Sequence, residues 1–342
     1  MSVTKIPSAT SKAVSTLVVT QAMELLDRSG VVERLEQWSP KRRVILNSRA
    51  MLAIWLVLAM ESRPLTRREA IHLLQNRMSP EAAAALGVST SVRMSAADAT
   101  RRSTERLMAA LVGQGTGLGE ATSGERQFVL ANALLRQQDK RVSEAGENRR
   151  TDVVVDNIFV PRPSGHTYLP SNLRGRVSPR GWEYNVVMRR NDLGPFTVLG
   201  INQHSPNESP SHAAVRLVQD LHRHGFRLGT VVTNPAFTQA PLHQHLREHG
   251  SDVITNVGTQ PHLSTETRAA HDRAYRDAMC GVESYVADLR GHGSPGRPAR
   301  GATADALAVT LTIVATNHRQ IQNWNDTNTT PITQAATRPD LT

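Results

Sequence analysis

The chain has 342 residues and a mass of 37.4 kDa, a length that predicts two domains or one large domain with an appendage. Hydrophobic residues make up 39% and charged residues 20%, a globular balance that excludes wholesale disorder. The single cysteine, Cys280, excludes a disulfide scaffold and a cysteine-based zinc site, and it favours a reducing cytoplasm. Forty Lys and Arg against 30 Asp and Glu give a formal charge of +10, which indicates a polyanionic partner, with nucleic acid ahead of a membrane surface.

The positive charge is concentrated in the first half of the chain. Residues 1–150 contain 22 basic and 14 acidic residues, a net +8, which leaves +2 for the remainder. We therefore expect the anionic partner to contact the first half. Residues 1–12 are polar and lack the apolar core of a signal peptide, and the longest apolar stretch, 44–60, is interrupted by polar residues. These features predict a cytoplasmic, nucleoid-associated protein without a membrane partner.

Apolar residues at helical spacing predict an all-helical, basic domain over residues 1–112. Within it, the sequence Thr66-Arg67-Arg68-Glu69 is a capping box that opens a helix reaching Met78. Two interpretations stand for this helix. It is either the recognition helix of a helix-turn-helix, with Arg67, Arg68 and Arg77 directed toward DNA, or an ordinary member of a helical bundle. The other predicted helices cover residues 10–28 and 48–60, a short segment after Ser79-Pro80, and Ser95 to Val112.

A change of composition and then of periodicity marks the middle of the chain. Residues 113–124 contain five glycines and show no periodicity, so we assign residues 113–150 to a linker that includes one helix, at 126–138. From residue 152 onward the pattern is that of strands. A second domain is predicted over 151–325, followed by a flexible tail at 326–342.

The second domain is predicted to contain three strands, then a helix, a strand, a helix, a strand and two long helices. This is the element order of the ribonuclease-H-like fold. We therefore predict a mixed five-stranded sheet flanked by helices. The strands are expected at residues 152–160, 182–189, 196–203, 228–233 and 252–257, the helices at 209–224, 239–249, 265–290 and 303–324.

Acidic residues stand at the points of this order where two-metal chemistry would need them. Asp156 follows three valines in the middle of a strand, where an ionised side chain is unexpected unless a cation faces it. Glu283 lies on the late helix. Two divalent ions that hold a scissile phosphate require bridging anionic oxygens, which carboxylates provide. Ordinary strand-end and solvated-face positions are the competing interpretations for these two residues.

Five segments resemble the DDE transposases of bacterial insertion sequences, in particular actinobacterial members with a helical amino-terminal region. The resemblance covers about residues 10–325. It implies a ribonuclease-H-like catalytic domain that cleaves DNA and transfers strands with Mg²⁺ or Mn²⁺, double-stranded DNA as the partner, and assembly as a homo-oligomer. The segments are VVVDNIFVP at 153–161, the strand opening Trp182-Glu183-Tyr184, VVTNPAF at 231–237, GVESYVADLR at 281–290, and ALAVTLTIVATNHRQIQNW at 306–324.

The resemblance implies roles for individual residues. Asp156 corresponds to the first carboxylate, Glu283 to the third, and Arg290, seven residues after the glutamate, to a basic residue that holds DNA. The second carboxylate of the family is replaced by Asn234. An amide oxygen can bind a metal, but it is neutral and bridges poorly, so we expect catalysis to be weak or lost. Asp252 and Asp220 are candidate substitutes, although neither has the expected place in the element order.

Further residues permit other interpretations. The indole of Trp182 is either a packed core side chain or a platform on which a DNA base stacks. The series His243, His245 and His249 has the i, i+4 spacing of a zinc site, but no HExxH motif accompanies it, and solvent-facing histidines are the favoured interpretation. No GxxxxGKS/T or GxGxxG motif follows a predicted strand, so no nucleotide cofactor is expected.

Three functions remain after the sequence is considered alone. The first is a transposase that still cleaves and joins DNA. The second is a domesticated, catalytically inactive protein that binds specific DNA sites. The third is an interaction protein that needs neither metal nor DNA.

Overall fold

The structure is a computed structural model. The residues that it describes are 13–39, 46–113, 122–143, 150–161, 181–190, 194–203, 208–237, 240–255, 264–291 and 296–329. Residues 326–329 of the predicted tail are described and helical, whereas 330–342 and most of the glycine-rich segment 113–124 lie outside the described residues.

Helices account for all the regular structure described before residue 150. The longest apolar one, α3 (Ser48–Met60), is buried from Ala50 through Ala59 and forms the centre of the bundle. Asn47 caps its amino end, since the Asn47 side-chain oxygen accepts the Ala50 N–H at 2.8 Å. The other helices here are α1 (Thr16–Ser29), α2 (Val31–Trp38), α4 (Arg67–His72), α5 (Pro80–Ala85), α6 (Thr90–Met94), α7 (Ala96–Val112) and α8 (Ser123–Ser143).

Several helix boundaries differ from the sequence prediction. The first helix begins only at Thr16, because the Ser15 hydroxyl accepts the Leu17 N–H and caps it there. The predicted helix after the capping box starts at Arg67, but from Leu73–Arg77 it becomes a π-helix. The helices α2 and α6 were not predicted, and both are eight residues or shorter, so little periodicity marks them.

The five strands form one sheet in the order β3-β2-β1-β4-β5. Strand β1 lies at the centre, β2 and β3 are antiparallel, and β4 is parallel to both β1 and β5. This mixed sheet, preceded by helices and flanked by them, confirms the predicted ribonuclease-H-like class. The strands are β1 (Thr151–Pro161), β2 (Gly181–Arg189), β3 (Val198–Gln203), β4 (Leu228–Thr233) and β5 (Asp252–Ile254); the helices are α9 (Pro210–Arg223), α10 (Ala240–Glu248), α11 (Thr265–Gly291) and α12 (Ala302–Thr329).

The chain divides into two compact units, neither of which is continuous in sequence. The first comprises Met1–Gln137, Phe159–Trp182 and Arg290–Ala315, and the second comprises Gln138–Ile158, Glu183–Leu289 and Thr316–Thr342. This division differs from the predicted domains. The helix α8 continues to Ser143, and its residues up to Gln137 belong to the unit of α1 to α7.

A buried ion pair joins the end of α8 to the sheet in the second unit. Arg189, the last residue of β2, donates two hydrogen bonds to Asp139 Oδ1, at 3.0 and 2.6 Å, and one to Oδ2 at 2.8 Å. Both side chains are almost inaccessible to solvent. Removing either partner would take from the other the hydrogen bonds that offset its burial, so this pair holds the last turns of α8 against the end of β2.

The helix α11 packs on the sheet through a stripe of Ala278, Val282, Tyr285 and Leu289, all buried. The Tyr285 hydroxyl donates to Asn317 Oδ1 at 2.9 Å, and that amide bonds the N–H and carbonyl of Val198 in β3. This portion of α11 therefore lies beside the start of β3, the edge strand, and two strands away from β1.

Gly281 allows α11 to approach Phe196, the residue that comes two before β3. A Cβ atom at position 281 would lie 2.5 Å from Phe196 Cε2. We expect Gly281→Ala to destabilise the protein by about 1–3 kcal/mol through overpacking, although alanine is by itself the better helix former by about 1 kcal/mol. Chemical denaturation measures the free energy of unfolding. A gain in stability would show that α11 does not pack against Phe196 in this way. In a Phe196→Ala background, where the ring is absent, Gly281→Ala should cost less than it does in the native protein.

Candidate functional site

The pairing of β1 with β4 brings Asp156 and Asn234 together. Val155 lies opposite Thr233 in the parallel register, and the Asn234 N–H donates to the Val155 carbonyl at 3.2 Å. Asp156 and Asn234, the residues that follow this pair, therefore lie side by side, at the edge of the sheet where parallel strands direct their carboxyl ends. The structure thus brings together two of the three predicted site residues.

The amide of Asn234 has a defined orientation. Its Nδ2 donates to Asp156 Oδ1 at 2.7 Å, and its Oδ1 accepts the Ala236 N–H at 3.1 Å. Reversing the amide would set its oxygen against a carboxylate oxygen and its NH₂ group against an N–H donor, so both neighbours fix the same orientation. The side-chain oxygen of Asn234, the atom that would take the place of a carboxylate oxygen at a metal, therefore already accepts a backbone hydrogen bond, and the face toward Asp156 is a hydrogen-bond donor.

Asp156 is a buried carboxylate, with 6% of its surface exposed. Burial raises its pKa above the ordinary value, while hydrogen bonds from the Asn157 N–H at 2.7 Å and from Asn234 oppose that increase. Tyr275, on α11, is near enough for the two groups to interact: the pKa of its phenol is raised by burial and, to a smaller extent, by the charge of Asp156. Tyr275 is therefore a residue of α11 close enough to Asp156 for the two to interact electrostatically.

Glu283 is on the exposed side of α11 and makes no hydrogen bond or ion pair with any described residue. It lies eight residues after Tyr275, about 12 Å along a helix that rises about 1.5 Å per residue. Its neighbours Gly281 and Tyr285 pack beside β3 through Phe196 and Asn317. These contacts place the part of α11 around Glu283 beside the edge strand β3. The role of Glu283 as third carboxylate therefore rests on the resemblance alone.

The residues at Asp156 do not fit the two divalent ions that the resemblance implies. A bridging site requires several anionic oxygens directed to one point. Here one carboxylate is paired with an amide whose NH₂ group occupies the side where a cation would bind. The Asn157 N–H and the Asn234 amide both donate to the same oxygen, Asp156 Oδ1, so two hydrogen bonds already occupy that oxygen.

Neither alternative carboxylate is at this point of the fold. Asp252 opens β5 and pairs with Thr230, so it is at the opposite end of the parallel strands from Asn234. Asp220 is on α9, where its Oδ1 lies 3.6 Å from the ring of His224 and 3.8 Å from the guanidinium of Arg223. Neither Asp252 nor Asp220 therefore replaces the second carboxylate that Asn234 lacks.

The three arginines predicted to face DNA differ in exposure. Arg68 is exposed and Arg67 is half-buried, and neither forms an ion pair with a described residue. Arg77 is 6% exposed, and its guanidinium donates to Glu61 at 2.8 Å. Its place in the π-helix turns it into the bundle, so the structure removes Arg77 from the surface and leaves Arg67 and Arg68.

Ion pairs within the first unit use much of its positive charge. Arg126 is 2% exposed and donates to the Ala110 carbonyl at 2.6 Å, where it caps the carboxyl end of α7. The exposed arginines of α1 to α4 without an ion pair among the described residues are Arg28, Arg34 and Arg68. Pairs that hold other arginines of this unit are Arg49–Asp27, Arg63–Glu69, Arg101–Asp98, Arg102–Asp98 and Arg106–Glu36.

The remaining predicted contacts fall on the surface or outside the described side chains. Arg290 is exposed in the last turn of α11. Trp182 is the second residue of β2, but its side chain is outside the described part of the structure. Sequence reasoning missed Tyr275, a half-buried residue of α11 that none of the motifs considered includes.

Comparisons with known proteins leave the family open. No model of a protein family matches the chain, and neither does any curated protein. Among solved structures, the chain is similar at 12% identity to the Mos1 strand transfer complex, to a Mos1 transposase paired-end complex with left transposon end, and to a pre-cleavage Mos1 transpososome. These alignments cover 84%, 82% and 83% of this chain and 78%, 82% and 80% of the others, with TM-scores of 0.22, 0.20 and 0.17. Scores of this size carry no argument, so the fold assignment rests on the sheet topology.

A separate finding concerns membranes: among the helices that the structure describes, none combines the length and the apolar character needed to cross one.

The raised pKa of Asp156 predicts a pH dependence. Because the folded-state pKa lies above the ordinary value of 3.8, folding takes up a proton, and the contribution of Asp156 to stability falls as the pH rises from 3.8 through the folded-state pKa. Asp156→Asn removes this titration but still offers an oxygen to Asn157 and Asn234. We expect the free energy of unfolding of the native protein, minus that of the variant, to decrease with pH in this window and then level off. A difference that increases with pH would contradict the burial of an ionisable Asp156.

Proposed function

We propose that this protein binds double-stranded DNA and descends from a transposase, and that its ribonuclease-H-like unit no longer cleaves DNA. The observation that carries the proposal is the hydrogen bond from the Asn234 amide to Asp156. At position 234 the resemblance implies a carboxylate that shares a metal with Asp156. This chain has Asn234 there, a neutral group that donates a hydrogen bond to Asp156 directly. The protein therefore belongs to the second of the three functions, a domesticated binding protein.

The electrostatics of the pair support this proposal. Two carboxylates buried at hydrogen-bonding distance repel each other unless a cation or a proton lies between them. An amide donor removes that requirement, because it stabilises the ionised form of Asp156 without any metal. A protein selected for metal-dependent cleavage would lose activity with such a replacement, whereas one selected to retain its fold would gain a satisfied buried carboxylate.

The net charge and the resemblance support DNA as the partner. The chain carries +10 overall, most of it in the first 150 residues, and phosphate contacts from Lys and Arg supply most of non-specific DNA affinity. The capping box that opens α4 carries Arg67 and Arg68, which remain available for such contacts because no described acidic residue pairs with them. We propose the amino end of α4 as part of the DNA-contacting surface.

Two arginines of the same segment provide a matched test of this surface. Arg68→Ala should weaken binding to a mixed-sequence DNA duplex and reduce the slope of log affinity against log salt by about 1, with unfolding changed by less than about 0.5 kcal/mol. Arg77→Ala should instead lower the free energy of unfolding by about 1–3 kcal/mol, since it leaves Glu61 without its partner. Fluorescence anisotropy at several salt concentrations and chemical denaturation give the two readouts.

Two results would count against DNA binding at this surface. Unchanged affinity in Arg68→Ala would exclude the amino end of α4 as the contact. A native protein without any salt-dependent affinity would favour the third function, an interaction protein that does not bind DNA.

Restoring the carboxylate tests the proposed loss of cleavage. Asn234→Asp replaces the 2.7 Å hydrogen bond by the repulsion of two buried carboxylates, so we expect a lower melting temperature without divalent ions and a recovery on adding Mn²⁺. The native protein, with the amide in place, should show no comparable rise. Asn234→Ala is the control, because it removes the hydrogen bond without adding a charge, and Mn²⁺ should not restore its stability.

Cleavage assays on the same proteins give the second readout. Incubation of supercoiled DNA with Mg²⁺ or Mn²⁺ should leave it intact with the native protein. Mg²⁺-dependent nicking by the native protein that is abolished in Asp156→Asn would contradict the proposal and return the chain to the first function, an active transposase.

A further inference from the structure

Three histidine rings from two helical elements meet on the second unit, on residues separate from Asp156 and Asn234. His222 is in the last turn of α9, His245 is on α10, and His249 follows the end of α10. One ring nitrogen of each lies within 4.8 Å of one nitrogen of the other two. The ring centroids are 4.5 Å apart for His222 and His249, 4.2 Å for His245 and His249, and 5.5 Å for His222 and His245.

The hydrogen bonds of the cluster leave ring nitrogens free to bind a cation. Nδ1 of His249 lies 2.8 Å from the His245 carbonyl, which can only accept, so Nδ1 carries the proton and Nε2 keeps its lone pair. A backbone carbonyl that holds one imidazole nitrogen in this manner is the usual support of a metal-binding histidine. His222 Nδ1 and His245 Nε2 are buried and have no hydrogen-bond partner among the described residues.

The burial of the three rings differs. His222 and His245 are half-buried and His249 is exposed, so the cluster opens to solvent on one side. A bound cation would supply the buried nitrogens with the partner they lack, because unpaired buried polar atoms cost free energy.

We propose that His222, His245 and His249 bind one Zn²⁺ ion, or a transition-metal ion of similar preference, with the remaining coordination position open to water. Zinc binds imidazole nitrogen at about 2.0–2.1 Å, which in a tetrahedral site separates ligand nitrogens by about 3.3 Å. The three nitrogens would have to approach one another by up to about 1.5 Å, a distance that rotation of the side chains provides.

Such an ion would join α9 to α10 at their carboxyl ends. The series His243, His245 and His249 has the spacing expected of one helix, but the structure replaces His243 by His222, which is more than twenty residues earlier in the chain. His243 points elsewhere, near Phe237 and Arg247. The site is independent of the proposed DNA-binding function, because it uses no residue of the Asp156 pair or of α4.

The experiment is a titration of the metal-free full-length protein with Zn²⁺ in competition with a chromophoric chelator, together with thermal denaturation. We expect one ion per chain and a higher melting temperature with Zn²⁺. Replacing the ion by Co²⁺ should give the visible absorption of a site with nitrogen ligands. His249→Gln and His222→Gln should each weaken binding by at least about tenfold.

Two controls separate this site from other ligands on the surface. His212→Gln removes an exposed histidine from the first turn of α9 and should leave the affinity unchanged. Cys280→Ser removes the exposed thiol and should also retain one ion per chain. His249 is itself exposed, so the His249→Gln variant is expected to fold, and far-ultraviolet circular dichroism checks this for every variant.

The outcomes are distinct. Loss of affinity in both cluster variants with unchanged controls supports the site. No saturable binding of Zn²⁺ by the native protein would overturn the proposal, as would binding that survives both His222→Gln and His249→Gln.

Discussion

The parallel pairing of β1 with β4 is the constraint from which the arrangement at Asp156 follows. Because Val155 lies opposite Thr233, the residue after each of them, Asp156 and Asn234, must lie at the same edge of the sheet, whatever their side chains. A buried carboxylate there needs a partner, and the partner in this chain is an amide donor in place of a metal or a second acid. One side chain at position 234 therefore decides whether this edge of the sheet attracts a cation or excludes it.

The packing of α11 is the second constraint. Gly281 and Tyr285 hold the helix beside β3 through Phe196 and Asn317. Tyr275, earlier on the same helix, is close enough to Asp156 to interact with it electrostatically. A phenol adds no negative charge near the buried carboxylate at neutral pH.

The arginines of the first unit serve both the fold and the surface. Some are paired with acidic residues or, as with Arg126, inserted between helices. Arginine serves the fold well there because its planar group makes several directional hydrogen bonds and its stem packs against apolar surface. The net +10 acts on a partner through the arginines that remain exposed without an ion pair among the described residues, Arg68 among them.

The sequence by itself determined the longer elements and their order, because hydrophobic periodicity and capping are local: β4 is predicted at 228–233 and observed at Leu228–Thr233, and Asp156 stands out as a charge within an apolar strand. The short helices α2 and α6 and the π-helix left too little periodicity to be predicted. The sequence also determined that residue 234 is an amide. Only the tertiary structure decided which way that amide points, that Arg77 is buried against Glu61, and that His222 joins the histidines of α10. Each of these depends on contacts between residues distant in sequence, and the packing that makes such contacts leaves no periodic signal along the chain.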